Sequence, residues 1–132
     1  MAYKILIADD EADTLEVLNK HLTESGYDVI TAGDGQAALK KIRENNPDII
    51  LLDVIMPKMN GFEVLKELRN NPASKKWQPV IIISVKDEFD SLRKGYNLEA
   101  DFYITKPLSL EKVSKAIQTM ISLLPVRRTE EK

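Results

Sequence analysis

Five polar residues stand at the ends of apolar segments in this chain, and their side chains could together bind a metal ion and a phosphoryl group. Asp9 and Asp10 follow the first apolar segment, and Asp53 follows a later one. Ser84 ends a third such segment, and Lys106 follows a weaker one. Taken alone, each has an ordinary explanation, because an aspartate after a strand often caps a helix and a single lysine is usually solvated. A chemical role therefore depends on their meeting at one place.

The chemistry that suits this set is metal-assisted phosphoryl transfer. Carboxylates that lie close together raise one another's pKa values unless a cation lies among them, and Mg2+ is a cation that takes oxygen ligands. Aspartate can form an acyl phosphate in covalent catalysis, so Asp53 could attack a phosphoryl group bound at the metal. Lys106 and the metal would share the negative charge, and Ser84 could donate a hydrogen bond.

Five short segments are predicted to be the strands that hold these side chains. Three are unbroken apolar runs, typical of parallel strands that are covered on both faces, and two are weaker. The strong segments are residues 3–8, 48–52 and 79–84, and the weaker ones are residues 27–31 and 101–105. Segments with a helical apolar period separate or follow them, and residues 87–98 give the weakest of five predicted helices.

Strands and helices alternate along the chain, which predicts an α/β fold with a doubly wound, five-stranded parallel sheet. In open parallel sheets, ligands bind beyond the carboxyl ends of the strands. Since the five polar residues all lie at strand ends, this fold would bring them to one edge of the sheet. Such convergence favours a functional site over five unrelated residues.

Composition limits the other possibilities. The 132 residues suit one domain, expected over residues 1–124, with residues 125–132 as a solvated tail or the start of a linker. The absence of cysteine excludes disulfides and thiolate metal sites. The net charge of −2 predicts no direct nucleic-acid binding and no attraction to anionic membranes. The first apolar segment is too short for a signal peptide or a membrane span, so a cytoplasmic location is expected.

Four segments, in this order, resemble the receiver domain of response regulators, the phosphoacceptor module of bacterial two-component signalling. They are ILIADDEADT, DIILLDVIMPKMNGFEVLKELR, PVIIIS and ADFYITKP. The resemblance covers residues 3 to about 124. It implies a flavodoxin-like fold with five helices and the sheet order 2-1-3-4-5.

The resemblance also implies the roles of the acidic residues. Asp53 would be the phosphoacceptor and Asp10 a direct ligand of Mg2+, with Mn2+ as a possible substitute. Asp9 would bind the metal through water, and the backbone carbonyl of Ile55 would supply another oxygen.

The remaining roles concern the phosphoryl group and the response to it. Lys106 would bind the phosphoryl group and precede a cis proline, Pro107. Ser84 would be the switch hydroxyl and Tyr103 the switch aromatic residue. The resemblance places four residues along the wall of the site: Met56, Val85, Lys86 and Pro107.

Two residues depart from the family pattern. Val85 stands where the family usually has alanine or another small residue, and its side chain could crowd an approaching phosphoryl group. Glu99 stands where a glycine is common.

As a receiver, the chain would take a phosphoryl group from a histidine kinase or a phosphotransfer protein. It would catalyse its own phosphorylation and dephosphorylation, and would not be an enzyme acting on other substrates. An output protein or effector domain would bind the face formed by the fourth predicted helix (87–98), the fifth strand and the last helix.

Two other functions belong to different classes of protein. A haloacid-dehalogenase-type phosphatase also uses an aspartyl phosphate, but its nucleophile follows the first strand and a second aspartate lies two residues on. Asp9 is followed by Asp10 and then Glu11, so that pattern fails. A phosphorylation-independent interaction module is the other alternative. The complete acidic set and Lys106 argue against it, and Val85 slightly favours it.

Overall fold

The computed structural model describes residues 2–72, 76–85 and 100–130, with the main chain alone for residues 126–130. Its strands are β1 (Lys4–Ala8), β2 (Asp28–Ala32), β3 (Ile49–Asp53), β4 (Val80–Ser84) and β5 (Phe102–Thr105). The helices in these ranges are α1 (Ala12–Glu24), α2 (Gly35–Asn45), α3 (Gly61–Asn70) and α4 (Leu110–Glu130). The predicted helix at residues 87–98 lies outside the described residues.

The five strands form one parallel sheet in the order β2-β1-β3-β4-β5, which confirms the predicted fold. Asp53 at the end of β3 pairs with Ile83, and Ser84 at the end of β4 pairs with Thr105. Because all the strands run in one direction, their carboxyl ends meet at the same edge. Lys106 directly follows β5 and therefore reaches that edge as well.

Two apolar clusters cover the two faces of the sheet. Alternate residues of a strand enter opposite clusters: Leu51 packs in one with α1 and α4, whereas Ile50 and Leu52 pack in the other with α2 and α3. Every residue of β3 and β4 is buried as a result. This two-sided burial explains why these strands are unbroken apolar runs with no polar alternation.

Helix ends are defined by side chains near the predicted boundaries. The Asp34 carboxylate caps α2 by accepting a hydrogen bond of 2.8 Å from the Ala37 N–H. Ser109 precedes α4, and its hydroxyl accepts from the Lys112 N–H at 3.3 Å. Gly26 follows α1 with a φ of +98°, a conformation that glycine adopts at low cost.

Helix α4 continues past Leu124 to Glu130 and so includes most of the segment predicted to be a tail. The sequence does not predict this extension, because Pro125 removes one helical hydrogen bond and no apolar stripe follows it. A helix already packed through Leu124 can add further turns through local hydrogen bonds alone. The domain boundary at residue 124 stays a prediction. Within the described residues, none of the helices is both long and apolar enough to cross a membrane.

Candidate functional site

Three carboxylates meet at the carboxyl edge of the sheet. Asp9 and Asp10 follow β1, and Asp53 ends β3. One oxygen from each of the three lies within 4.8 Å of the others. Asp9 and Asp53 are buried, whereas Asp10 is exposed. The parallel sheet thus brings together the acidic residues that the sequence places after two different strands.

Among the described residues, Lys106 brings a positive charge next to the carboxylates. Its ammonium nitrogen Nζ lies 3.2 Å from Oδ1 of Asp53 and 3.7 Å from Oε1 of Glu11. The Lys106 backbone N–H donates to the carbonyl of Ser84 at 2.8 Å, which ties the start of this loop to the end of β4. The peptide bond between Lys106 and Pro107 is cis, as the family resemblance implies.

Burial and mutual repulsion perturb the carboxylates. The pKa of Asp53 is raised to about 6, mainly by burial and also by repulsion from Asp9, while Lys106 opposes the rise. Burial is also the main cause that raises the pKa of Asp9. Burial alone would lower the pKa of Lys106, but the nearby carboxylates of Asp53, Asp9 and Glu11 together outweigh this effect and the pKa is raised. Lys106 is therefore held in its charged form, and it lies beside the carboxyl group of Asp53, which is costly to ionise.

The backbone around α1 orients two of the acidic residues. The Asp9 N–H donates to the carbonyl of Ala32 at 3.1 Å, and Asp9 Oδ1 accepts from the Glu11 N–H at 2.9 Å. Glu11 occupies the N-cap position of α1, but its side chain makes no capping hydrogen bond and instead approaches Lys106. The sequence places Glu11 in the acidic group after the first strand, but it predicts no specific role for this residue and no approach to Lys106. The available signal was its place as the third consecutive acidic residue after β1.

A cavity of about 320 Å3 opens between these side chains. It holds the volume of roughly ten water molecules, enough for a hydrated metal ion and a phosphoryl group. Ile55 and Val85 form apolar parts of its wall, with 49% and 41% of their surfaces exposed. The described residues that line it are Asp10, Glu11, Asp53, Ile55, Val85 and Lys106.

The other predicted site residues lie around the cavity or away from it. Ser84 is fully buried at the end of β4. Tyr103 lies in β5, where its hydroxyl oxygen accepts from the Ala100 N–H at 2.9 Å. Met56 is 7% exposed and packs in the core on the α2–α3 face, and it does not line the cavity. Pro107 is exposed beside Lys106, and Lys86 lies outside the described residues.

The donor atoms of the cluster fit a hard divalent cation. Asp9, Asp10 and Asp53 offer only oxygen ligands, and the charges of Asp9 and Asp10 add to the burial that makes Asp53 costly to ionise when no cation is bound. A metal with open positions on the cavity side could hold both waters and phosphoryl oxygens, which is the usual arrangement for Mg2+.

Comparisons with known proteins agree with this geometry. Residues 5–118 match the model of the response regulator receiver domain family. The chain is 44% identical over 122 residues to the alkaline phosphatase synthesis transcriptional regulatory protein PhoP of Bacillus subtilis (strain 168). That match covers 92% of this chain and 49% of PhoP, and the chain spans about half the length of the curated relatives it matches.

Solved structures give the same result. The chemotaxis response regulator CheY4 of Vibrio cholerae is 30% identical with a TM-score of 0.81, over 91% of this chain and 99% of CheY4. The Francisella response regulator 1452 receiver domain is 33% identical with a TM-score of 0.78, over 89% of this chain and 95% of that one. The chain therefore belongs to the response regulator receiver domain family.

Proposed function

We propose that this receiver domain accepts a phosphoryl group on Asp53 in a reaction that needs Mg2+. The observation that carries the proposal is the position of Asp53, which lies 3.2 Å from the ammonium group of Lys106 and within one group with Asp9 and Asp10. An acceptor needs an adjacent cation because the transferred group brings negative charge to a site that is already acidic.

Asp10, Asp53 and the backbone carbonyl of Ile55 would hold Mg2+ directly, and Asp9 would hold it through water. The metal would supply charge neutralisation for the phosphoryl oxygens. Mn2+ is expected to substitute, since it also prefers oxygen ligands. Lys106 would bind the phosphoryl group, and its charge favours the ionised form of Asp53.

In the reaction, one carboxylate oxygen of Asp53 forms a bond to phosphorus as the bond between phosphorus and the donor breaks. The electron pair of the broken bond leaves with the donor. In a separate second step, water attacks the same phosphorus atom and the bond between phosphorus and the Asp53 oxygen breaks, so that inorganic phosphate and a proton are released and the carboxylate is regenerated. The site would catalyse both steps by placement and charge stabilisation, so the chain would act only on its own acyl group.

A histidine kinase or a phosphotransfer protein would be the phosphodonor. Ser84, buried at the end of β4, would then turn toward the phosphoryl group, and Tyr103 would follow it. A hydrogen bond to a charged group contributes about 1.5–3 kcal/mol, whereas a switch from 1:99 to 99:1 needs about 5.5 kcal/mol. Ser84 must therefore act together with Lys106 and Tyr103.

The surface read by an output partner would include β5, α4 and residues 87–98. This partner would be a protein or an effector domain, and direct nucleic-acid binding is not expected from the balanced charge of this chain.

The test is modification by a small phosphodonor such as acetyl phosphate, followed by mass spectrometry. With Mg2+ present, one phosphoryl group is expected on Asp53, and it should be absent after chelation with EDTA and in Asp53→Asn. Glu16→Gln removes an equal charge from the exposed surface of α1 and should be modified normally. Modification of Asp9 would favour the phosphatase alternative. A chain that is never modified, yet binds a partner, would favour the interaction module.

A further inference from the structure

The loop between β3 and α3, residues 54–60, passes unusually close to the start of α2. Gly35, the first residue of α2, is buried against this loop. A Cβ atom on Gly35 would overlap the carbonyl oxygen of Met59 and lie 2.5 Å from the Met59 Cβ. Real Cβ atoms essentially never approach other atoms so closely, so any larger residue would have to push the Met59 backbone away. Glycine is needed here for space.

Further contacts join the same two segments. The Gly35 N–H donates to the carbonyl of Pro57 at 3.4 Å, and Nζ of Lys58 lies 3.6 Å from the carboxylate of Asp34. Lys58 has a φ of +70°, which is an uncommon conformation for a lysine. Three consecutive loop residues, 57 to 59, therefore contact the beginning of α2.

The other end of the loop is held just as closely. The Gly61 N–H donates to the carbonyl of Val54 at 2.8 Å, and a Cβ on Gly61 would lie 2.5 Å from the carbonyl oxygen of Asp53. Asn60 forms a capping box with Glu63 at the start of α3. Because the loop is held at both ends, a displacement of Met59 cannot be absorbed within α3. It must instead move the loop residues between Val54 and Met59.

Ile55 lies between these two held ends and lines the acidic cavity. We propose that Gly35 is a positioning residue of the metal site: its missing side chain lets the loop lie where the Ile55 carbonyl can bind the metal. This inference rests on the proposed function, since it assigns that carbonyl as a ligand. It adds a role for α2, none of whose residues lines the cavity.

A pair of glycine substitutions tests the proposal. Gly35→Ala and Gly33→Ala each add one methyl group near the start of α2, but Gly33 is exposed and a Cβ added to it would meet no atom within 4 Å. Changes to groups that orient metal ligands typically weaken metal binding by about 10-fold or more. In isothermal titration calorimetry, the dissociation constant of Gly35→Ala for Mg2+ should therefore be about 10-fold higher than that of the wild-type protein. Gly33→Ala should change it by less than about twofold.

A purely structural role for Gly35 predicts a different result. In that case Gly35→Ala would unfold at lower urea concentration in EDTA, yet bind Mg2+ with unchanged affinity under conditions where it is fully folded. That outcome would overturn the proposal.

If Gly35→Ala does not fold, the wild-type protein still provides a test by NMR. During a Mg2+ titration, the amide signals of Gly35 and Met59 should shift with the same midpoint as that of Ile55. The amide of Gly26, at the far end of α1, serves as the control and should not respond. Unchanged Gly35 and Met59 signals would contradict the coupling.

These experiments separate this inference from the proposed function. One outcome would refute only the role of Gly35: the wild-type protein binds Mg2+ and is modified on Asp53, and Gly35→Ala binds Mg2+ equally well. Wild-type protein that neither binds Mg2+ nor is modified would refute both.

Discussion

Replacement of Asp53 by asparagine should make the metal-free protein more stable. Asp53 is buried beside Asp9, and its pKa is raised from the ordinary value of 3.8 to about 6. The folded protein therefore binds the Asp53 proton more tightly than the unfolded chain does. Between pH 4 and pH 6, roughly, the free energy of unfolding falls as the pH rises, and above this range the loss is complete.

The size of the effect follows from the pKa. A rise from 3.8 to about 6, at ~1.36 kcal/mol per pKa unit, corresponds to about 3 kcal/mol at neutral pH. The side chain of Asp53 is only 5% exposed, so screening by solvent reduces this figure little. The pKa of about 6 already includes the attraction of Lys106, and asparagine reproduces the hydrogen bonds of a protonated carboxyl group only in part, so we expect a net gain of about 1–3 kcal/mol.

Urea unfolding in EDTA, followed by the fluorescence of Trp77, measures this gain. Trp77 is the single tryptophan and precedes β4, at the opposite edge of the sheet from the carboxylates. The advantage of Asp53→Asn should shrink by about half at pH 5, where wild-type Asp53 is mostly protonated. Glu16→Gln, an exposed control, should change stability by less than about 0.5 kcal/mol. Equal or lower stability of Asp53→Asn at pH 7.5 would refute the electrostatic reasoning.

Three further results are expected. In the same assay, Mg2+ at about 100 times its dissociation constant should stabilise the wild-type protein by about 2.7 kcal/mol. The Asp10→Asn variant should gain little stability from Mg2+. Equal gains in the two proteins would exclude Asp10 as a ligand. Lys106→Ala should slow modification by acetyl phosphate about 100-fold in a mass-spectrometric time course, with the exposed Lys115→Ala unaffected. Asn60→Ala should lower the free energy of unfolding by about 1 kcal/mol, because it removes the cap of α3; no loss would contradict the capping box.

The fold was predictable because this sheet is buried on both faces. The β3 segment predicted at residues 48–52 is observed at Ile49–Asp53, and its residues enter the two apolar clusters in alternation. Parallel strands covered by helices also fix which ends meet, so the convergence of Asp9, Asp10, Asp53 and Lys106 followed from their places in the sequence.

The features that the sequence did not predict depend on the paths of loops and on the directions of side chains. Ile55 and Met56 are adjacent apolar residues, and only the course of the loop decides that Ile55 lines the cavity while Met56 enters the core. The approach of Glu11 to Lys106 joins two loops far apart in the chain. The contact between Gly35 and Met59 likewise has no periodic pattern that could reveal it.

A crystal structure with Mg2+ and a beryllofluoride mimic of the phosphoryl group would show whether the carboxylate cluster binds both. We expect one metal ion about 2.1 Å from oxygens of Asp10, Asp53 and the Ile55 carbonyl. We also expect Lys106 Nζ within hydrogen-bonding distance of the mimic on Asp53. A metal or mimic bound elsewhere, with these residues apart from both, would refute the proposal that Asp53 is the metal-dependent phosphoacceptor.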